Sequence, residues 1–350
     1  MNEIESGSFL IVRLGALGDI VHTLPAAAAL RASFPKARLG WVVEEKWLSL
    51  VQMVSGIDEV IPLRKTAAGY LSCIRRLRRA RYSCAVDFQG LYKSALLTRL
   101  SGATRRIGRD RSSARESGAA WFYTQTIHPA GRHIAEMNLS LAEGAGAATQ
   151  GDMRFPLRVP EEAIKNVREA LWRERIGEFI VVSPGGGWQS KCWPAERYGQ
   201  LSAELWRSHG LCTVVNAGPG EGQLAQEVIR AAAPAKVLVL SLPLTELAAL
   251  LLQAKVAIGA DTGPLHLAAA LGARNVALFG PTDPARNGPL PRGSVLRAAP
   301  SAEKADTRGA YQRGTEYSPE MLAITVAQVL EAAEHELAGT SSQPVPAEQK

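Results

Sequence analysis

Four short stretches gather the residue types that handle protons, phosphate and charge. The first is Gly15-Ala16-Leu17-Gly18-Asp19, which follows an apolar run at 9–14 and precedes a helical pattern beginning near Ile20. Its glycines let the backbone turn tightly and come close to a ligand. Asp19 has two readings there: an N-cap accepting from orphan N–H groups, or a carboxylate at the carboxyl edge of a parallel sheet, able to take a proton. The second stretch, Asp261-Thr262-Gly263-Pro264-Leu265-His266, lies between a strand ending near Ala260 and a helix running to Gly272. Pro264 suits the first helical turn, which leaves Thr262 and Gly263 at exposed N–H groups that favour phosphate. Plain capping would account for much of this, but the pair Asp261 and His266 is more than capping requires. In the third, 183–194, Gly185, Gly186 and Gly187 leave room for a diphosphate and Lys191 can neutralise it, against the ordinary alternative of a solvated surface lysine. The fourth is Glu221 after Gly218 and Gly220, either a first-turn acid complementing a helix dipole or an acceptor for ribose hydroxyls.

None of these turns fits GxGxxG or GxxxxGK[ST], so neither a dinucleotide fingerprint nor a P-loop is expected. There is also no DxD pair, no HExxH and no clustered His/Asp set, so no metal and no cofactor is expected, and Lys191 with helix N-termini must carry the phosphate charge. Cys73, Cys84, Cys192 and Cys212 form no CxxC pair and read as reduced thiols of a cytoplasmic protein.

The elements that must position these residues follow from the apolar pattern. Runs at 9–14, 39–43, 60–63 and 84–88 read as strands separated by helical periods, and the pattern restarts at 179–182, 211–216, 236–240, 256–260 and 276–279. That alternation predicts an α/β protein with two doubly wound, Rossmann-like parallel sheets, in keeping with 350 residues. The expected boundaries are a first domain at 1–155, a linker and connecting helix at 156–176, a second domain at 177–316, a last helix at 317–338 and a disordered tail at 339–350. Hydrophobic residues make up 46% and charged residues 21%, which excludes a disordered chain and a membrane bundle. The first eight residues carry two glutamates and no apolar core, which argues against a secretory signal. The longest apolar block, 247–254, is far short of the ~20 residues a spanning helix needs.

The net charge of +7 is unevenly placed. Between Arg64 and Arg115 there are fourteen Lys or Arg against Asp87 and Asp110, so the rest of the chain is net acidic. Such a field gathers anionic partners. Within it, Leu71, Ile74 and Leu77 recur at helical spacing, which makes Arg75, Arg76, Arg78, Arg79 and Arg81 a solvated outer face. Arg105, Arg106, Arg109, Arg111 and Arg115 lie in a Gly/Ser-rich stretch without apolar period and read as a mobile loop holding an anionic ligand. No RNP-like aromatics or helix-turn-helix pattern accompany the charge, so nucleic acid is not expected.

Taken together, the motifs resemble the lipopolysaccharide heptosyltransferases, glycosyltransferase family 9 with the GT-B architecture. The resemblance rests on the segments 14–25 (LGALGDIVHTLP), 41–45 (WVVEE), 87–95 (DFQGLYKSA), 191–194 (KCWP), 261–266 (DTGPLH) and 279–284 (FGPTDP). Three of these, HTLP, VVEE and the QGLxKSA-like run, look more like the type that adds the first heptose than the second. The resemblance implies two domains facing a cleft, an acceptor domain first and an ADP-sugar domain second. It implies an inverting, metal-independent transfer from ADP-heptose to an acidic Kdo-lipid A, at the cytoplasmic face of the inner membrane. Asp19 matches the proposed base, with Gly18, Lys93, Arg105, Arg109 and Arg115 toward the acceptor. Lys191, Glu221, Asp261, Thr262, Gly263, His266, Gly185 and Gly186 fall on the donor side. The final helix is implied to cross back to the first domain. The rivals are a second-heptose enzyme, a sugar-nucleotide epimerase, a lipid-docking module without catalysis and, weakest, a dehydrogenase.

Overall fold

The first strand, β1 (Ser8–Val12), is apolar on both sides, with Phe9, Leu10, Ile11 and Val12 all buried. Such a strand needs helices over both faces, which parallel βαβ connections supply. In a computed structural model of the chain, which describes residues 7–149, 153–291, 293–297 and 314–339, β1 is followed by α1 (Leu17–Val21), α2 (Leu24–Ser33), β2 (Arg38–Glu44), α3 (Leu48–Gln52), β3 (Glu59–Leu63), α4 (Ala67–Ala80), β4 (Cys84–Asp87), α5 (Tyr92–Leu100), β5 (Arg105–Arg109), a 3₁₀ turn (Ser117–Phe122), β6 (Gln125–Ile127) and α6 (Ile134–Gly144). The strands form one parallel sheet in the order β3-β2-β1-β4-β5-β6. The strand order reverses between β1 and β4, where Val12 pairs with Asp87, the kind of position at whose carboxyl edge open α/β sheets bind ligands.

After α7 (Glu161–Arg173) come β7 (Phe179–Ser183), α8 (Ala195–His209), β8 (Cys212–Asn216), α9 (Gly222–Ala232), β9 (Val237–Leu240), α10 (Leu244–Gln253), β10 (Ala257–Ala260), α11 (Gly263–Ala270), β11 (Asn275–Phe279), α12 (Pro284–Asn287), β12 (Ser294–Arg297), α13 (Pro319–Ala323) and α14 (Val326–Ala338). The second sheet is also all parallel, in the order β12-β11-β10-β7-β8-β9, and its reversal falls between β7 and β10. The expected two-sheet α/β class is what the chain adopts. It divides into two compact units, one of residues through Ala163 with Ala285–Asn287, the other the remainder from Ile164. Residues 150–152 of the expected first domain, 292 and 298–313 of the expected second, and the tail from 340 onward lie outside the described residues.

Three sequence expectations are corrected. β5, β6 and β12 are strands that the apolar pattern did not mark: β6 and β12 lie at sheet edges, which need little apolar content, and β5, inside β6, carries three arginines among its five residues. The arginines of β5 instead tie themselves down: Arg106 donates to the carbonyls of Phe122 and Ala103, and Arg105 to that of Gly144. The stretch expected as a mobile loop is therefore sheet at Arg105–Arg109. The last helix, expected to pack back on the first domain, finds its apolar cover in the second. α14 packs on α8, β11 and β12 of the second domain, with Val329 and Ala333 in that core. Arg274 donates to the carbonyls of Glu336 and Leu337 near its end, and the Trp193 indole donates to the Ile324 carbonyl before its start. Its apolar stripe is satisfied there. All four cysteines are free and buried. Among the described residues no helix is long and apolar enough to cross a membrane.

Gly40 shows how tightly the first sheet is covered. A Cβ on it would fall 1.9 Å from the Tyr82 hydroxyl, which is itself committed to Glu59. Gly40→Ala is therefore expected to lower the stability of the first domain by about 1–3 kcal/mol; a urea denaturation curve unchanged from the parent would contradict this packing.

Candidate functional site

At the carboxyl edge of β1, the turn through Gly15 and Ala16 leads directly into α1, whose N-cap is Ala16. Asp19 is thus the third residue of that helix, not its cap. It still serves the helix start, since its Oδ2 accepts from the Ala16 N–H at 3.2 Å. The same oxygen lies 2.6 Å from Arg13 Nη2 and 3.6 Å from Arg115 Nη1. Every one of these contacts falls on Oδ2, and Oδ1 carries none of them. The Asp19 side chain is 31% exposed, so that second oxygen can meet a ligand. Burial works to raise the carboxyl pKa, but the Arg13 and then the Arg115 charge outweigh it and hold Asp19 below the usual aspartate range. Asp19 is consequently a fixed carboxylate with one oxygen anchored and the other presented.

Arg13, buried at the end of β1, was missed by the motif reading. Its signal was present: an arginine closing an otherwise apolar strand must find a carboxylate, because a buried unpaired charge is very costly. It also donates to the Phe88 carbonyl, and the Trp41 indole donates to its own carbonyl. The β4 end braces the same turn. Asp87 accepts from the N–H groups of Gln89 and Gly90 and from the Tyr123 hydroxyl at 2.8 Å, while Gln89 Oε1 accepts from the Leu14 N–H. Burial pushes the Asp87 carboxyl up despite these bonds. With both oxygens committed, Asp87 is a brace and not a base.

Of the residues expected toward the acceptor, the structure brings some to this turn and not others. Gly18 sits within α1 beside Asp19, and Arg115 reaches Asp19 directly. Lys93 lies 3.5 Å from Glu44, which Lys65 also approaches at 2.8 Å. Glu44 closes β2 and, with Trp47, flanks Gly15. Arg105 and Arg109 are corrected. Arg105 faces Gln125 and the Gly144 carbonyl on β5. Arg109 is buried and donates to Asn138 Oδ1, whose amide in turn donates to the His22 carbonyl after α1. Arg109 thus links β5 through Asn138 to the residue after α1, and both guanidinium groups are engaged within the first domain.

The second domain gathers its expected residues closely at the β7 and β10 edges. Asp261 Oδ2 is 2.6 Å from Lys191 Nζ, and Oδ1 is 2.9 Å from His266 Nε2. Both oxygens are occupied. Although burial opposes ionisation, the His266 and Lys191 contacts hold the carboxyl far below the usual range. Asp261 therefore positions Lys191 and His266 and is not itself available as a base. Thr262 is the N-cap of α11 but its hydroxyl makes no capping bond, and its buried Oγ1 has no partner among the described residues. Gly263 opens the helix beside it. A Cβ on Gly186 would lie 3.2 Å from Thr262 Cγ2, and one on Gly185 would collide with the Glu221 carboxylate. The glycine loop thus lies against both Thr262 and Glu221, whose Oε2 accepts from the Gly218 N–H at 2.7 Å. An N–H-rich helix start, a lysine and close glycine backbone form a setting that suits a diphosphate. Among the described residues no three His, Cys, Asp or Glu come together as a metal set.

A family profile described as glycosyltransferase family 9 (heptosyltransferase) matches residues 70–311. The chain is 30% identical over 321 residues to lipopolysaccharide heptosyltransferase 1 of Pseudomonas aeruginosa, covering 85% of this chain and 87% of that one. It is 31% identical over 312 residues to lipopolysaccharide heptosyltransferase 1 of Escherichia coli K12, covering 83% and 93%. Its fold is similar to that of the Escherichia coli heptosyltransferase WaaC with ADP, with a TM-score of 0.76, 27% identity and coverage of 94% and 99%.

The geometry around Asp19 generates a pH dependence with a definite sign. A carboxylate whose pKa is depressed on folding stabilises the fold above the unfolded carboxylate range, and that stabilisation is lost as pH falls through the depressed value. Arg13→Met removes the largest charge holding Asp19 down. The acid limb of any activity that needs this carboxylate should then move to higher pH, and Arg115→Ala, at longer range, should move it less. An acid limb unmoved in Arg13→Met would separate Asp19 from that activity.

Proposed function

The chain belongs to glycosyltransferase family 9, the heptosyltransferases, and from that premise we propose that it transfers heptose from ADP-L-glycero-D-manno-heptose to Kdo of Kdo-lipid A, the first heptose of the lipopolysaccharide inner core. The relatives named above, both heptosyltransferase 1, support that step over a later one. The structure that carries ADP supports an ADP-sugar donor for the second domain. The first domain then takes the acidic acceptor, at the cytoplasmic surface of the membrane that holds it.

The observation that carries the mechanism is the asymmetry of Asp19, anchored through Oδ2 and open at Oδ1. In this reading Oδ1 takes the proton of the acceptor hydroxyl as its oxygen attacks the anomeric carbon. The bond from that carbon to the ADP oxygen breaks on the opposite face, ADP leaves with the electron pair, and the configuration inverts. An oxocarbenium-like transition state develops charge on the departing diphosphate. Lys191, held by Asp261, and the α11 start at Thr262 and Gly263 are the groups to stabilise it. His266 fixes Asp261 from the other side, and Glu221 accepts from the ribose beside Gly185 and Gly186. Arg115 and Lys93, with the Gly18 backbone, meet the acidic acceptor, and Arg105 and Arg109 leave that role. Charge stabilisation by these side chains makes the transfer metal-independent.

Mass spectrometry of purified full-length chain with ADP-heptose, Kdo-lipid A and a chelator tests this directly. Kdo-lipid A should gain one heptose mass. Absence of product, or product that requires added metal ion, overturns the corresponding part, and transfer only to an already heptosylated core assigns the later step. Asp19→Ala should lose roughly 100- to 10,000-fold in turnover while still binding ADP. Full turnover in that variant removes Asp19 as base. Lys191→Ala should weaken donor binding and slow transfer together, and unchanged donor kinetics would remove it from the diphosphate site.

A further inference from the structure

Among the described residues, four large hydrophobic side chains stand exposed on three elements of the first domain: Leu71 on α4, Tyr92 and Leu96 on α5, and Trp121 on the 3₁₀ turn. These elements are neighbours, α4 packing on α5 and α5 on the turn. Tyr92 lies over Gly118 of that turn, where an added Cβ would meet its hydroxyl. Along each helix the apolar residue is followed on the same face by cations. Leu71, Arg75 and Arg78 are spaced by four and three residues, and so are Tyr92, Leu96 and Arg99. Arg111 lies over the Trp121 ring. Neither α4 nor α5 contains an acid.

The cations of this face are largely uncompensated. Arg76, turned toward Glu59, is ion-paired at 2.9 Å, but Arg75, Arg78 and Arg99 have no carboxylate partner among the described residues. Where α4 and α5 end, Arg78 and Arg99 line an open cleft of about 430 Å³ together with Arg81. The cleft hydroxyls are already committed, Ser83 to the Ser8 carbonyl, Ser101 to that of Thr98 and Thr104 to that of Ser83, so its spare donors are guanidinium groups. The helix C-termini offset part of the repulsion between them, yet Arg81 lies beyond α4 and adds a third charge.

We propose that the face formed by α4, α5 and the turn at Ser117–Phe122 seats the first domain on an anionic phospholipid bilayer, with the Arg78, Arg81 and Arg99 cleft taking headgroup phosphate. Isolated leucine, tyrosine and tryptophan side chains set among arginines match the interface between headgroups and acyl chains. A protein partner would favour a continuous apolar patch with a polar rim, and a face whose two helices carry no acid, with Glu116 at its margin committed to the Tyr92 N–H, selects a surface of one sign. This deepens the proposed function, since it rests on an acceptor held in a membrane and names the surface that meets it.

Sedimentation of the full-length chain with vesicles, in the absence of donor and acceptor, tests the surface separately from transfer. Binding is expected to vesicles containing phosphatidylglycerol and not to pure phosphatidylcholine, and it should weaken as salt is raised. Leu96→Asp and Trp121→Ser should each reduce it, and Arg75→Glu with Arg99→Glu should reduce it by roughly tenfold or more. All four positions are exposed, so thermal unfolding should stay unchanged. Equal binding to neutral vesicles, or variants that sediment like the parent, overturns the proposal. So does a dimer that Leu96→Asp dissolves while vesicle binding persists. If vesicle binding fails while heptose transfer is intact, only the surface is lost; the converse result leaves the surface standing and removes the transfer reading.

Discussion

The contact between Arg13 and Asp19 governs the chemistry that the first domain can perform. A guanidinium buried at the end of β1 requires an anion, and the tight Gly15-Ala16 passage into α1 brings Asp19 to it. Satisfying that requirement fixes one carboxylate oxygen and leaves its twin facing outward. The same contact keeps Asp19 ionised, so the group is charged before any ligand arrives. The brace from Asp87, Gln89 and Tyr123 then has a clear purpose, since it holds the β1 and β4 ends on which the pair depends.

The second domain solves a complementary problem with the opposite arrangement. Asp261 also follows a buried strand at a reversal of sheet order, but both of its oxygens are occupied, by Lys191 and His266. A carboxylate used in this way orients a cation and offers no proton acceptor. The difference between two aspartates at equivalent strand edges comes from what lies beneath them: a buried arginine on one oxygen in the first case, a lysine and a histidine on both in the second. In the proposed function each domain thereby has one kind of chemistry, proton removal in the first and stabilisation of departing phosphate in the second.

Much of this was legible in the residues. The buried parallel strands announced themselves as apolar runs, and the turns with Asp19, Asp261, Lys191 and Glu221 lay at their carboxyl edges. Legibility stopped where tertiary contacts override local pattern. Arg105 and Arg109 sit in a stretch without apolar period, yet they form β5 because carbonyls and Asn138 satisfy their guanidinium groups. The packing of α14 was equally hidden, since an amphipathic stripe shows that a helix is covered but not by what. Arg13 was readable only by asking what a charge at the end of an apolar strand must be paired with. The capping position of Asp19 was off by three residues because Ala16, with no side chain to cap, marks the helix start.

Asp19 stands as a carboxylate held ionised below the usual aspartate range, with one oxygen tied to Arg13 and the other free of these contacts. Titration of its side-chain carboxyl by ¹³C nuclear magnetic resonance, assigned through the missing signal in Asp19→Asn, measures this without reference to any substrate. The account requires a midpoint below the range of free aspartate. A midpoint at or above that range would mean that Arg13 does not hold the carboxylate, and the mechanism built on its open oxygen would have no foundation.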